Sequence, residues 1–213
     1  MTKPVMLMLS AITTGCLLSA QGVAQAQSAA GSAWVPYSAQ FTETITTWSQ
    51  SSPNRTTKQS LIEEKRSKDG SLLSVRSENG HVTSGTLWKS CGQILSLDYI
   101  GKRAIPSRQA PRVHTKLPST TPTGSRIIAG VQCVTYPILH LQGGSGTICH
   151  DMADDLPVLF EMHTVFNGTH QDYVKQLVLI DLGSDPGSVV GVPEGFTELA
   201  APSGSPLSCG AKK

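Results

Sequence analysis

The sequence lacks an excess of charge of either sign, and this excludes two classes of partner. It has 17 lysines and arginines against 15 aspartates and glutamates. Without Lys3, which lies in the predicted targeting segment, the balance is 16 to 15, a formal charge of +1. A chain this balanced has no electrostatic footprint for nucleic acid or for an anionic membrane surface.

The sequence also lacks the short motifs of the common catalytic and cofactor sites. It contains no C-x-x-C, no H-E-x-x-H and no G-x-x-x-x-G-K-[ST]. Gly143-Gly144-Ser145-Gly146-Thr147 fails as a nucleophile elbow because the last position must be glycine, and a flexible hairpin turn explains these glycines. We therefore predict no catalytic residue, no metal site and no cofactor.

Residues 1–26 are predicted to be a secretory signal peptide. Lys3 is the only charge before Glu43, an apolar run from Val5 to Ala20 follows it, and Ala24-Gln25-Ala26 is a small-x-small cleavage pattern. The run is shorter than the roughly 20 residues of a spanning helix, which argues against an uncleaved anchor. Lipidation at Cys16 is a second alternative, disfavoured by the apolar residues that follow it. The expected location is secreted or periplasmic, with a soluble mature chain.

Four cysteines follow residue 26: Cys91, Cys133, Cys149 and Cys209. An even number in an oxidising compartment predicts two disulfides, for which three connectivities exist. Cys133 and Cys149 flank the glycine-rich turn and can face each other on paired strands, which would leave Cys91 for Cys209. The sequence does not decide among the three.

Alternation of apolar and polar residues with a period of two dominates the rest of the chain and predicts antiparallel strands. Asp69-Gly70, Asn79-Gly80 and Asn167-Gly168 are hairpin turn sequences between such segments. Convincing helical periodicity is lacking throughout. The predicted fold is mainly β: a single curved antiparallel sheet, or half-open barrel, with few or no helices after the signal segment.

Two proline-rich stretches interrupt this pattern. Residues 103–125 carry four prolines without periodicity and are predicted to be a long loop. From Ala201 onward, proline, glycine and serine predict a flexible tail, 201–213, that carries Cys209. The expected organisation is thus one β-rich domain over residues 27–200.

Chemistry-bearing side chains are densest between residues 150 and 170. The group comprises His150, Asp151, Asp154, Asp155, His163 and His170. On plain strands, His163 and His170 have opposite parity and would face different ways, although the Asn167-Gly168 turn changes that comparison. Cys149 and His150 are neighbours on a strand and cannot hydrogen-bond to each other, and the same argument separates Glu63 from Glu64. The simplest interpretation is a polar turn with surface histidines.

Four short segments, in matching order, give the chain a resemblance to a known family. They are Tyr37-Ser38-Ala39-Gln40-Phe41, Lys68-Asp69-Gly70, Ile127-Ile128-Ala129-Gly130-Val131 and Val192-Pro193-Glu194-Gly195-Phe196-Thr197. The pattern resembles uncharacterised exported bacterial proteins with the lipoprotein-carrier (LolA/LolB-like) fold. That resemblance implies a curved sheet around an apolar concavity that holds acyl chains in the carriers. It implies no catalytic residues.

The leading functional expectation is a non-enzymatic exported protein whose curved sheet binds an apolar or lipid-like ligand or an envelope partner. Phe41, Ile45 and Leu97 are the expected lining residues. One alternative is a secreted hydrolase that uses residues 150–170, which requires those side chains to converge in a cleft. Another is a structural interaction module, for which an unpaired sheet edge would be the contact surface.

Overall fold

The computed structural model describes residues 34–49, 51–107, 121–139, 144–154 and 156–200, and these residues are nearly all in strands. The strands in chain order are β1 (Tyr37–Ser49), β2 (Ser52–Arg66), β3 (Leu72–Glu78), β4 (His81–Trp88), β5 (Ile94–Asp98), β6 (Arg103–Pro106), β7 (Gly124–Ile128), β8 (Val131–Leu139), β9 (Ser145–Asp151), β10 (Leu156–Phe166), β11 (Thr169–Leu182) and β12 (Thr197–Glu198). A single 3-10 turn, Gly187–Val189, is the only helical element among them. The mainly-β prediction is confirmed. The signal peptide and the tail predicted at 201–213 lie outside the described residues.

All twelve strands belong to one open sheet, in the order β12-β6-β5-β4-β3-β2-β1-β11-β10-β9-β8-β7. Every pairing is antiparallel except the short parallel pairing of β12 with β6. The longest ladders lie at the centre, where β1 pairs with β2 on one side and with β11 on the other. At one end of the sheet β7 approaches β11, so the sheet curls without closing.

Tight turns of the predicted chemistry connect the long hairpins. Asn79-Gly80 joins β3 to β4 and Asn167-Gly168 joins β10 to β11, and all four residues have positive φ. Asparagine tolerates the left-handed region and glycine has no Cβ to clash there, so these pairs suit two-residue hairpins. A third such turn, Ala129-Gly130, separates β7 from β8. The segment resembling a family strand at residues 127–131 therefore contains a hairpin turn.

The main core lies against what we call the Phe41 face, the face of β1, β2, β3 and β11 that carries Phe41. Cross-strand pairing places Ile62 and Leu177 directly beside Phe41, and all three are buried. Packed in the same cluster are Tyr37, Ala39, Cys133, Cys149, Leu156, Val158 and Leu159. Strand β9 is buried on both of its faces, since Ile148 and Cys149 are both inaccessible. The hydrophobic effect of this cluster holds the two halves of the sheet together.

A second core lies on the opposite face of β3 to β6. Its buried members are Leu73, Leu87, Leu95, Leu97 and Ala104. Residues 190–196 cover them, with the Phe196 ring edge-on to Tyr99 at 5.0 Å between centroids. Backbone hydrogen bonds from Thr197 to Lys102 and from Leu199 to Ala104 fix this segment along β6.

The proline-rich loop predicted at residues 103–125 is shorter than expected. Residues Arg103–Pro106 form β6 and residues from Gly124 onward form β7, which corrects both ends of the prediction. These strands escaped detection because each has only four or five residues, too few to show a period. Pro106 is compatible with β6 because it stands at the end of the strand. Residues 108–120 lie outside the described part of the chain.

Candidate functional site

A buried carboxylate, Glu43, lies on the Phe41 face two residues beyond Phe41 on β1. Only 1% of its surface is exposed. Its Oε1 accepts hydrogen bonds from Arg76 Nη2 at 2.7 Å and from the Tyr173 hydroxyl at 2.8 Å, and its Oε2 accepts one from Ser60 Oγ at 2.9 Å. Three donors from three strands thus satisfy one carboxylate. Such pairing is what a buried charge requires.

A second carboxylate, Glu64 on β2, extends this arrangement. Lys175 Nζ lies 2.5 Å from its Oε1 and also stands over the Phe41 ring, 4.3 Å from the centroid. The hydroxyls of Ser74 and Tyr37 donate to Glu64 at 3.4 and 3.5 Å. We call the eight polar residues of the two arrangements the buried network: Tyr37, Glu43, Ser60, Glu64, Ser74, Arg76, Tyr173 and Lys175. Its two carboxylates and two cations cancel in charge.

Tyr173 is a hydrogen-bond donor within the buried network. Burial raises the pKa of Tyr173, and the hydrogen bond that its hydroxyl donates to Glu43 raises it further. Tyr173 therefore remains a donor throughout the physiological pH range. Glu63 and Glu64 lie on opposite faces, Glu63 exposed and Glu64 buried, as the strand geometry predicted. They do not form a carboxylate pair across a substrate.

The three residues expected to line an apolar concavity do not share a surface. Phe41 is completely buried in the main core, and Ile45 lies on the same face farther along β1. Leu97 is buried in the second core, on the opposite face of the sheet. The prediction failed for Leu97 because a period of two indicates alternation but does not specify which side of the sheet an isolated strand presents.

Among the described residues, the acidic and histidine side chains between 150 and 170 do not converge in a cleft. His150 pairs with Pro157 near one end of β10, whereas His163 pairs with Ser145 six residues farther along that strand. Six residues of strand correspond to about 20 Å. Asp151 follows His150 at the end of β9, and its Oδ1 accepts a hydrogen bond from Ala153 N at 3.0 Å. Asp155 lies outside the described residues. The convergence that the hydrolase alternative requires is not found among these side chains.

The same region does bring His163 and His170 together. His163 lies opposite Asp172 and His170 opposite Val165, so both histidines occupy one face of the β10–β11 hairpin. Their ring centroids are 5.6 Å apart, and His170 stacks on Trp48 at 5.1 Å. With Asp172, 2.6 Å from His163 Nδ1, these residues form what we call the histidine cluster: Trp48, His163, His170 and Asp172. Counting positions across the two-residue turn would have found the shared face.

The glycine-rich segment and its neighbours have structural roles. Ser145 and Gly146 belong to β9, and a Cβ at Gly146 would stand 2.1 Å from the carbonyl oxygen of Glu161. Glycine is therefore required by the close approach of β10. Cys149 pairs across from Thr135 and His150 from Val134, so these two neighbours face opposite ways, as predicted.

Cys133 and Cys149 form a disulfide between β8 and β9, with their Cα atoms 5.4 Å apart. Cys91 is disulfide-bonded as well, and its partner lies outside the described residues. A Cys91–Cys209 bond stays a prediction. Disulfides persist in oxidising compartments, so these bonds indicate an exported protein.

The two edges of the sheet differ. The β12 edge has only two residues and lies beside β6, which ends in Pro106. The β7 edge has five residues, Gly124–Ile128, which pair only with β8 in the described sheet. Four of the five are exposed, and Ile127 keeps 75% of its surface accessible.

The described residues contain neither a candidate membrane span nor a cluster of three metal-ligand side chains. No helix among them has the length and hydropathy to cross a bilayer. No group of three or more histidine, cysteine, aspartate or glutamate side chains in that part of the chain is arranged to hold a metal ion.

No protein-family model and no curated protein matches the chain. Solved structures with a similar fold include an uncharacterised conserved protein from Thermus thermophilus (TM-score 0.47, 10% identity, 76% of this chain and 90% of that chain). Others are MucB in its complex with MucA from Pseudomonas aeruginosa (0.41, 14%, 70% and 54%) and a LolA superfamily protein from Nitrosomonas europaea (0.38, 9%, 72% and 90%).

Proposed function

We propose that the protein is an exported, non-catalytic binding module that pairs its β7 edge with an extended segment of a polypeptide partner. The observation that carries the proposal is the exposed β7 strand. A strand at a sheet edge presents unpaired N–H and C=O groups, and an extended peptide can satisfy them by adding one more strand. The exposed Ile127 side chain offers an apolar contact beside those groups.

The contrast between the two edges supports this choice. Natural sheets blunt their edges with very short strands, prolines, charges or covering segments. The opposite edge uses two of these devices, the two-residue β12 and Pro106. Strand β7 contains no proline, and its one charged residue, Arg126, is directed to Glu161, 3.9 Å away. An edge that no described strand covers, in a sheet whose other edge is short and carries a proline, is a candidate contact surface.

The faces of the sheet are less suitable for an acyl chain. The centre of the Phe41 face is filled by its own core and by the buried network. A hollow of about 300 Å³ over β1 is lined by Ala39, Leu179 and Ile180 and by six residues with polar or charged side chains: Ser38, Gln40, Glu63, Glu64, Lys65 and Asp181. Burying hydrocarbon against such groups leaves them without water, which costs free energy. A polypeptide partner therefore fits the described surfaces better than a lipid.

Export is the second part of the proposal. A signal peptide over residues 1–26 would deliver the chain to an oxidising compartment, where its disulfides form. That compartment is either the periplasm or the extracellular medium. Cell fractionation with detection of the processed N-terminus tests this part independently.

The binding proposal is tested by site-specific photo-crosslinking in intact host cells. A photoreactive residue replaces Ile127 in one variant and Ile100 in a matched control. Ile100 is 92% exposed but lies in the turn between β5 and β6, away from the β7 edge. We expect one discrete polypeptide adduct from position 127 and none from position 100.

An adduct of equal yield at both positions, or none at position 127, contradicts the proposal. Native mass spectrometry of the purified protein distinguishes the lipid alternative. A mass increment that organic extraction removes would favour a lipid ligand and count against a polypeptide partner.

A further inference from the structure

We propose that His163 and His170 form a binding site for a late first-row divalent metal ion, with Cu(II) the preferred ion. The two histidines stand on adjacent antiparallel strands, diagonal to each other on the face opposite Phe41. Their ring centroids are 5.6 Å apart and the ring planes are inclined by 39°. Imidazole nitrogens are the protein ligands that Cu(II), Ni(II) and Zn(II) share.

The separation of the rings matches that of two imidazoles on one metal ion. A metal–nitrogen bond of about 2.0 Å places each ring centroid about 3.1 Å from the metal. Two such rings at a tetrahedral angle have centroids about 5.1 Å apart, and a wider angle increases this distance. The observed 5.6 Å lies between the separations of about 4.4 Å and about 6.2 Å for the cis and trans positions of the tetragonal geometry that Cu(II) prefers, so rotation of the two side chains on their fixed strands is needed to bring both rings to one ion.

Asp172 prepares His163 for this role. Its Oδ1 lies 2.6 Å from His163 Nδ1, so Nδ1 carries the proton and Nε2 presents its lone pair. A carboxylate behind a metal-binding histidine fixes its tautomer and raises its basicity, and its loss typically costs 10- to 100-fold in affinity. The pair is accessible, with 40% of the His163 side chain and 44% of the Asp172 side chain exposed.

The surroundings of the histidines determine the type of site. The described residues offer the metal two nitrogens and no third ligand group, so its other positions are open to water or to an outside ligand. Such an open site is governed by intrinsic affinity, which is greatest for Cu(II) in the first-row series. A nearby cation, Arg55, lies over the Trp48 ring at 4.7 Å and opposes binding, while Asp172 supplies compensating negative charge.

Trp48 gives the site its own reporter. Its indole stacks on His170 at 5.1 Å and lies 5.8 Å from His163 between centroids. Bound Cu(II) would quench the fluorescence of this tryptophan, one of three in the chain. The experiment titrates the full disulfide-bonded protein with Cu(II) and records tryptophan fluorescence, with calorimetry to give the stoichiometry.

We expect one Cu(II) per chain and quenching that is absent from Trp48→Phe. His163→Asn and His170→Asn should each weaken binding at least about 10-fold, and Asp172→Asn by about 10-fold. His81→Asn, at an exposed hairpin end, is the matched control and should leave the affinity unchanged. Arg55→Ala should bind as tightly as the parent or more tightly.

Retention of Cu(II) affinity in both His163→Asn and His170→Asn would overturn the proposal, as would calorimetry showing no binding to the parent protein. Circular dichroism confirms that each variant retains its sheet. Because these side chains are partly exposed, we expect the substitutions to leave the fold intact.

Discussion

Two polar clusters lie on opposite faces of the sheet, each with residues on β1 and β11, and they differ in how far they are exposed to water. The buried network surrounds Glu43, which is 1% exposed, whereas the histidine cluster includes Asp172, whose side chain is 44% exposed. Both contain a carboxylate with a close hydrogen-bond donor. A buried carboxylate must keep its donors because water cannot replace them, while an exposed one can exchange its donor for water at little cost. The first cluster therefore specifies structure, and the second is free to bind a ligand.

The largest expected effect is that of Glu43→Ala. This change removes the acceptor for Arg76, Tyr173 and Ser60 and leaves their donors without a partner. We expect the free energy of unfolding to fall by about 3 kcal/mol, the lower end of the range for a broken buried pair because Arg76 is partly exposed. Urea denaturation at pH 7 measures the change.

Glu63→Ala is the matched control for Glu43→Ala, because Glu63 is an exposed carboxylate on the neighbouring strand. We expect it to change stability by less than about 0.5 kcal/mol. Replacing Glu43 and Arg76 together with methionine should recover part of the loss, since no charge is then left unpaired. Equal effects of the two alanine variants would show that burial does not determine the cost of losing a carboxylate.

Tyr173→Phe has a smaller expected effect with a distinct pH dependence. Loss of the hydrogen bond to Glu43 should cost about 1 kcal/mol at pH 7. In the folded parent the pKa of Tyr173 is raised, so above about pH 10 the unfolded chain releases this proton while the folded chain retains it. The unfolded state then binds fewer protons, and stability falls as the pH rises.

The alkaline loss of stability should therefore be weaker in Tyr173→Phe than in the parent. It should not vanish, because burial also raises the pKa of Tyr99. Denaturation at several pH values between neutral and strongly alkaline measures the slope. An unchanged slope would mean that Tyr173 ionises equally in both states.

The smallest expected effect on stability is that of Asp172→Asn in the histidine cluster. Its partner His163 is 40% exposed and is hydrated when the pair is broken. We expect a change below about 0.5 kcal/mol at neutral pH, measured by thermal unfolding in the absence of metal. A loss of stability as large as that of Glu43→Ala would show that the exposed pair contributes as much to folding as the buried network.

Local features of the fold were predictable because their causes lie within a few residues. Asn79-Gly80 and Asn167-Gly168 specify turns through their own backbone preferences, and the period of two follows from strand geometry. The Cys133–Cys149 pairing could also be anticipated from the sequence, since both residues flank one short connection. Local chemistry was sufficient in each of these instances.

The two cores and the buried network depend on pairings between distant parts of the chain. Alternation marked Glu43 as sharing a face with Phe41, but its donors Arg76 and Tyr173 come from strands whose order the sequence does not encode locally. Residues 190–196 likewise cover a second core that only the sheet order creates. The resemblance to a known fold indicated the overall shape and none of these contacts.

The central position of β1 bears on how the chain is exported. Tyr37, at the start of β1, pairs with Leu182 at the end of β11. The ladder between these strands therefore cannot be completed until almost the entire described chain has been synthesised. Pairings of such separation form slowly because loop closure must precede them. We expect a chain truncated before β11 to remain sensitive to protease, whereas the full chain resists it. Late closure of the ladder would keep the nascent protein unfolded and thus competent for translocation until synthesis is nearly complete.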